Sequence, residues 1–235
     1  METGQGSASW NMGLDQALMS TVDDFIPVLR LYGWKPPAVS IGYFQSLEQE
    51  VNVKKCQDLG IDVVRRITGG GAVLHEQELT YSFITKIFPI NIRESYKVIC
   101  EPVVMCLNNL GFDAQFSPLN DITVKNKKVS GNAQTRRNNV LLQHGTILLR
   151  IDIDKMFSVL RVPAEKIKDK AIHDVKERVM GLQVSFNVIA TQLRQSFGQS
   201  FQAEVFKDSL KTGEIIEAKI MQKYKYGSHD WNYRR

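Results

Sequence analysis

The stretch RRITGGGAVLH, residues 65–75, runs two adjacent arginines into three consecutive glycines. Glycine has no Cβ, so Gly69, Gly70 and Gly71 can take positive φ and bring bare backbone N–H groups close to a carboxylate or phosphate. Arg65 or Arg66 would complete such a cradle with a fixed positive charge. A glycine run alone more often only turns a hairpin. Here the flanks are strand-like, Val63 and Val64 before the arginines and Ala72, Val73 and Leu74 after the glycines. The glycines are therefore expected at a rigid tip between two strands, and the chemistry that suits them is the holding of a nucleotide or an acyl carboxylate.

Positioning that loop requires a scaffold, and the apolar patterning supplies one. Residues 9–22 read as a first helix, with Met12, Leu14, Ala17 and Leu18 on one side. Strands are expected at 27–32 and 38–43, a short helix at 51–59 stopped by Gly60, and strands at 61–67 and within 75–90. In 91–110, Tyr96, Ile99, Val103, Leu107 and Leu110 recur at three- and four-residue intervals, predicting a helix that Pro102 should kink or break. Further strands are expected at 112–117, 121–125, 128–135 and 140–152, with Asn-rich turns between them. Residues 186–197 read as an amphipathic helix capped by Ser185, followed by strands at 201–206 and 215–224.

At 235 residues, with 43% hydrophobic and 23% charged, the chain suits one domain spanning 1–235. No run of 18 apolar residues occurs, and METGQGSASW has neither a basic nor an apolar segment, so the expectation is a cytoplasmic protein without a membrane partner. The three cysteines, Cys56, Cys100 and Cys106, lack CxxC spacing and read as buried thiols. A net charge of +5 is modest, and without a zinc pattern or aromatic RNA-binding signature no nucleic-acid partner is expected.

Several other segments carry a resemblance: SASWNMGLDQAL (7–18), SIGYFQ (40–45), NDITVKNKKVSGNAQTRRNNVLLQHGTIL (120–148), KIKDKAIHDVKERVMGL (166–182) and HDWNY (229–233). With the glycine loop, these resemble the lipoate–protein ligase A family of the biotin/lipoate protein ligase superfamily. The resemblance implies an α/β (α+β) fold in which helices flank a central, mostly antiparallel sheet. It also implies an activity: lipoate is activated with ATP and Mg²⁺ as lipoyl-adenylate and transferred to a lysine of a lipoyl domain. The acceptors implied are lipoyl domains of 2-oxoacid dehydrogenase acyltransferase subunits or the glycine cleavage H protein.

Residue roles follow from the same resemblance. Lys128 would stand between the acyl carbonyl and the α-phosphate as a catalytic group, and such an interaction is worth roughly 3–4 kcal/mol. Asn120 and Asp121 would lie beside the adenylate, Asp121 holding Mg²⁺ or orienting the incoming amine. Arg66, Gly71, Ala72, Val73 and Leu74 would hold the nucleotide. Arg65, Gly69, Gly70, Gly71 and His75 would bind lipoate together with Lys128. Lys125 and Lys127 are expected to face solvent, and His144 to make a structural hydrogen bond. A basic rim of Arg136, Arg137 and residues 166–178 would recruit an acidic acceptor.

Family members usually carry one more strand before the first helix, so the start here looks short; two-domain members continue past WNY into an accessory domain, so adenylation is expected to draw on a separate accessory subunit. Two alternatives stand beside the ligase. One is an ATP-independent octanoyl or lipoyl transferase that takes its acyl group from acyl carrier protein. Similar octanoyltransferases place a cysteine before the lysine segment, where SPLNDITVKN has none. The other is a non-catalytic lipoate-binding subunit.

Overall fold

A computed structural model describes residues 1–161 and 176–234. The segment of the resemblance at 166–182, and with it the basic rim expected at 166–178, lies outside the described residues as far as residue 175. The first half of the chain contributes β1 (Glu2–Gly6), α1 (Ala8–Thr21), β2 (Val28–Trp34), β3 (Ala38–Ile41), α2 (Leu47–Glu50), α3 (Val53–Asp58), β4 (Asp62–Arg65), β5 (Val73–His75), β6 (Glu78–Thr85) and α4 (Ile92–Asn109). The second contributes β7 (Ala114–Ser117), β8 (Asp121–Val124), β9 (Lys127–Arg137), β10 (Val140–Leu148), α5 (Ile153–Val159), α6 (Phe186–Ser200), α7 (Thr212–Met221) and α8 (His229–Asn232).

Seven strands form the main sheet in the order β1-β2-β6-β10-β9-β8-β7. Among the described strand pairs of this sheet only β1–β2 is parallel, so the sheet is mainly antiparallel as the resemblance implies. Alternation sorts its side chains into two cores. Tyr81, Phe83 and Leu141 face α4 and α6, where they meet Ile99, Val103, Leu193 and Phe197. Ile84 and Leu142, one residue on, face α1 and α7 and meet Leu14, Leu18 and Ala218. Among the described residues, no helix is long and apolar enough to cross a membrane.

The Asn-rich turns do what their composition predicts. Lys125 and Asn126 (φ 50° and 61°) join β8 to β9, and Asn138 and Asn139 (51° and 58°) join β9 to β10. Two central residues at positive φ make the tight hairpin turn that matches strand twist.

Three expectations need correction. A strand does precede the first helix: β1 lacks apolar alternation because its backbone alone does the pairing, at the sheet edge. The helix α4 runs through Pro102 unbroken, since its buried face outweighs one missing N–H bond. Residues 201–206 form no strand, and 215–224 is α7 followed by a π-helical turn over Gln222–Tyr226. The β-branched pair Ile215-Ile216 misleads there, because Glu214 and Ala218, four apart, are buried against α1. The glycine loop does lie between two strands as expected, although these do not pair with each other as a hairpin. β4 and β5 both pair with β3, one parallel and one antiparallel, in a separate sheet of order β4-β3-β5.

Candidate active site

Between the two sheets lies a cavity of about 310 Å³. Gly70, Gly71, Ala72, Val73, Leu74 and His75 form one wall, and Asn120, Lys128 and Asn132 stand in another, with Arg66 between. Apolar side chains close the rest, including Met12, Leu148, Ile151, Met156 and Val179. Most of the residues picked out by sequence therefore meet at one place; Arg65, Gly69 and Asp121 are not in the cavity wall.

The arginines take a different role from the expected one. Arg65 is fully buried and turned away, donating to the carbonyls of Gly42, Tyr43 and Gln45 and to those of Trp231 and Asn232 in α8. Arg66 uses all five of its N–H groups on the protein: Thr68 Oγ1, the carbonyl and hydroxyl of Ser40, and the carbonyls of Gly69 and Gly71. Burial pushes its guanidinium down to about 10. Arginine here fixes the loop's shape rather than clamping an anion, because carbonyls left facing a dry interior need donors.

Gly70 has φ +97°, and a Cβ there would stand 2.9 Å from Arg66 Nη2. Gly70→Val should therefore strain the backbone by about 1–3 kcal/mol and displace the guanidinium from its two carbonyls. The expected result is at least a tenfold weaker calorimetric affinity for an acyl carboxylate with the circular dichroism spectrum retained.

Lys128 starts β9, and its ammonium lies 2.8 Å from Asp121 Oδ1. The glycine of the KVSG segment makes room for it, since a Cβ at Gly131 would sit 2.8 Å from Lys128 Cε. Asn120 and Asn132 clasp each other across β8 and β9, the Asn120 amide on the Asn132 carbonyl and the Asn132 amide returning to Asn120 at 2.9 Å. Asn120 thus braces the lysine segment. Asp121 faces the lysine, and no group of three or more His, Cys, Asp or Glu suited to a metal occurs among the described residues. At the rim, Arg136 is drawn inward onto the Ile90 and Pro89 carbonyls and the Ser95 hydroxyl, leaving Arg137 exposed over the Tyr43 ring.

Two buried polar networks back the cavity. In one, His75 hydrogen-bonds Ser40 Oγ through Nε2 and Glu78 Oε1 through Nδ1, both at 2.7 Å. In the other, His144 lies 2.7 Å from Thr68 Oγ1 and 3.4 Å from Asp15 Oδ2, as a structural hydrogen-bonding residue should. Asp15 is also ion-paired with the fully buried Arg30 at 2.6 Å. Burial alone would raise the Asp15 carboxyl, but Arg30, with His144 and Ser82, outweighs it and holds the group below its usual range. Sequence reasoning assigned no role to Asp15, Arg30, Ser40 or Glu78, although Asp15 and Ser40 lie in the segments SASWNMGLDQAL and SIGYFQ that carry the resemblance. The three-residue spacing of His75 and Glu78 is a further signal for the first network.

Burial pushes His144 below its ordinary 6.5 against the opposing pull of Asp15. As pH falls through 6.5 the unfolded chain binds the proton first, so stability should decline there and level off below the depressed folded value. The slope from this group is at most about 1.4 kcal/mol per pH unit. Urea unfolding between pH 7 and pH 5 should show it, and His144→Gln should flatten the profile.

The three cysteines are buried thiols, as expected. Burial pushes Cys56 up to about 11 and Cys100 and Cys106 up to about 12. None is in the cavity wall.

A cavity framed by a braced glycine loop and an ion-paired lysine has counterparts in known proteins, and the model of the lipoyl protein ligase A/B catalytic domain matches residues 7–211. This chain belongs to that family. Among solved structures, the family's likeness is clear to a bi-partite lipoate protein ligase from Thermoplasma acidophilum, with TM-score 0.92 and 31% identity over 99% of this chain and 94% of that one. A lipoate-protein ligase A bound with ATP gives TM-score 0.87 and 29% identity, covering 99% and 96%. Among curated relatives, Octanoyltransferase LipM of Kyrpidia tusciae is 36% identical, covering 100% of this chain and 98% of that protein. The Bacillus subtilis protein of the same name is 32% identical, covering 100% and 97%.

Those curated relatives correct the expected activity. They are octanoyltransferases along their whole length, which overturns the reading of an ATP-dependent ligase that needs ATP and Mg²⁺. The expected accessory subunit for adenylation loses its basis with it. The physical reason for the error is that a glycine loop and a lysine serve an acyl carbonyl whether its leaving group is AMP or a thiol. A thioester arrives already activated, so the motif reports the acyl site and not the activating chemistry.

Proposed function

We propose that this chain transfers an octanoyl group from a carrier-protein thioester to the ε-amine of a lysine in a lipoyl domain, without nucleotide activation. In the net reaction the C–S bond breaks, an amide C–N bond forms and the thiol leaves. The observation that carries this reading is full-length similarity to octanoyltransferases, 30–36% identical in the relatives covering 100% of the chain. Lipoylation as the wider setting fits both these relatives and the solved lipoate ligases.

The cavity supports it. Its volume of about 310 Å³ is at the lower end of the roughly 300–1,000 Å³ usual for small-molecule sites. Burying an eight-carbon chain among Met12, Leu148, Ile151 and Met156, at about 0.8 kcal/mol per CH₂, would contribute roughly 5 kcal/mol to donor binding. Lys128 is placed at the polar side, where its ammonium would offset charge growing on the carbonyl oxygen. Asp121 beside it would take up an amine proton; in water fewer than about one lysine in a thousand is neutral at pH 7. Exposed Arg137 would draw in an acidic acceptor.

The test is a mass assay with purified protein, octanoyl-loaded acyl carrier protein and a lipoyl domain. One octanoyl group should appear on the acceptor with no ATP present, at a rate that ATP leaves unchanged. Acceptor modification that requires octanoate plus ATP and fails from the thioester would overturn the reading.

A further inference from the structure

We propose that Ser40 carries the acyl group as an oxygen ester between donor and acceptor, with His75 as its base and Glu78 orienting the imidazole. The inference rests on the transferase reading above. A transfer in two steps needs a nucleophile in the cavity, and none of the three cysteines stands in its wall. Ser40 does.

The hydrogen bonds define the proton positions. Glu78 accepts from the Thr80 hydroxyl at 2.7 Å, and Thr80 accepts from Trp34 Nε1 at 2.7 Å, so the Thr80 proton is committed to the carboxylate. Glu78 therefore receives His75 Nδ1–H, which leaves Nε2 as an acceptor for the Ser40 hydroxyl. Arg66 Nη1 donates to Ser40 Oγ at 3.1 Å, a positive charge aimed at the oxygen that becomes the nucleophile. The Trp34 ring stacks on the imidazole at 4.0 Å and 15°, fixing its plane. Register explains the meeting: Ala38 faces His75 and Ser40 faces Val73, so Ser40 and His75 are diagonal neighbours on β3 and β5.

The second serine-protease-like chain, Thr68–His144–Asp15, lacks these properties. Its His–carboxylate distance is 3.4 Å, Asp15 is already neutralised by Arg30, and Thr68 is not in the cavity wall.

The steps balance. Ser40 Oγ attacks the thioester carbonyl as its proton passes to His75 Nε2; the C–S bond breaks and the thiolate leaves with that proton. The neutral acceptor amine then attacks the ester, its N–H proton moves to His75, and the C–O bond breaks as Ser40 regains its hydrogen. Ser40 is 1% exposed, so the ester would be sheltered from water.

Wild-type protein mixed with octanoyl-loaded acyl carrier protein, without acceptor, should gain one octanoyl group on the peptide bearing Ser40, and this ester should survive neutral hydroxylamine. Ser40→Ala should lose the adduct and at least about 10²-fold of the transfer rate. Ser40→Cys should regain an adduct that hydroxylamine removes, which a merely structural serine would not produce. If wild-type protein octanoylates the lipoyl domain but no Ser40 ester forms, or Ser40→Ala transfers within a few-fold of wild type, the amine attacks the donor directly; the proposal then falls and the transferase reading stands. If wild-type protein transfers nothing, both fall.

Discussion

Lys128→Ala should slow octanoyl transfer by roughly 10²- to 10³-fold with the fold intact. That magnitude is the usual cost of removing one preorganised group that stabilises a developing oxyanion. Stability should hardly change, because the Lys128 and Asp121 side chains are 40% and 33% exposed and ion pairs of that exposure contribute about 0–1 kcal/mol. The loss should fall on kcat, since the carbonyl carries less charge in the bound donor than at the transition state. Single-turnover kinetics beside a thermal melt separates the two. Near-normal rates from Lys128→Ala would mean that the carbonyl is polarised by another group. Lys128→Arg should not rescue activity, because the lysine already crosses Gly131 with no space for a wider head.

The largest effect on stability is expected at Arg30. Its guanidinium holds Asp15 at 2.6 Å, the Asn11 side chain and carbonyl at 2.7 and 3.0 Å, and Thr3 at 2.9 Å. Removing it leaves a carboxylate stranded where water does not reach, and such a half-broken pair costs about 3–5 kcal/mol, a large part of the roughly 5–15 kcal/mol that holds a domain together. Arg30→Ala should therefore unfold at clearly lower urea than wild type. The double variant Arg30→Met, Asp15→Asn should recover much of the loss, because no uncompensated charge remains. The Asp15 contribution itself is present above its unfolded value near 3.8 and fades as pH falls through the lower folded one. Additive damage in the double variant would show that Arg30 acts mainly through packing on the Tyr32 ring, 3.8 Å away.

What was legible in the sequence was local. Asn138-Asn139 dictates its turn because two adjacent positive φ values suit few other residues. The apolar spacing of α4 and α6 identifies helices, although Ser185 makes no side-chain cap bond at the second. The glycine loop, Lys128 and His75 were marked by motif, and their convergence on one cavity is structural fact. What stayed hidden depends on distant partners. Arg65 and Arg66 read alike in sequence, yet one looks into α8 and the other into the loop, a difference set by strand pleat. Ser40 opens the SIGYFQ segment but gives no sign there of its partner, because His75 reaches it only when β5 is laid beside β3. The nature of the leaving group lies outside the chain altogether, in the donor.

The latch between β4 and α8 has a consequence for the order of events during synthesis. Arg65 N–H binds Asn232 Oδ1 at 2.7 Å, and Trp231 Nε1 binds the Arg65 carbonyl at 2.8 Å, across 167 and 166 positions of sequence. The glycine loop and both its strands leave the ribosome long before those partners do. Until then β4 has β3 on one side and no latch on the other, and the buried guanidinium of Arg65 lacks two of its carbonyls. The cavity should thus be among the last parts of the nascent protein to become rigid, so that on the transferase reading a chain still being made would be unable to hold a donor.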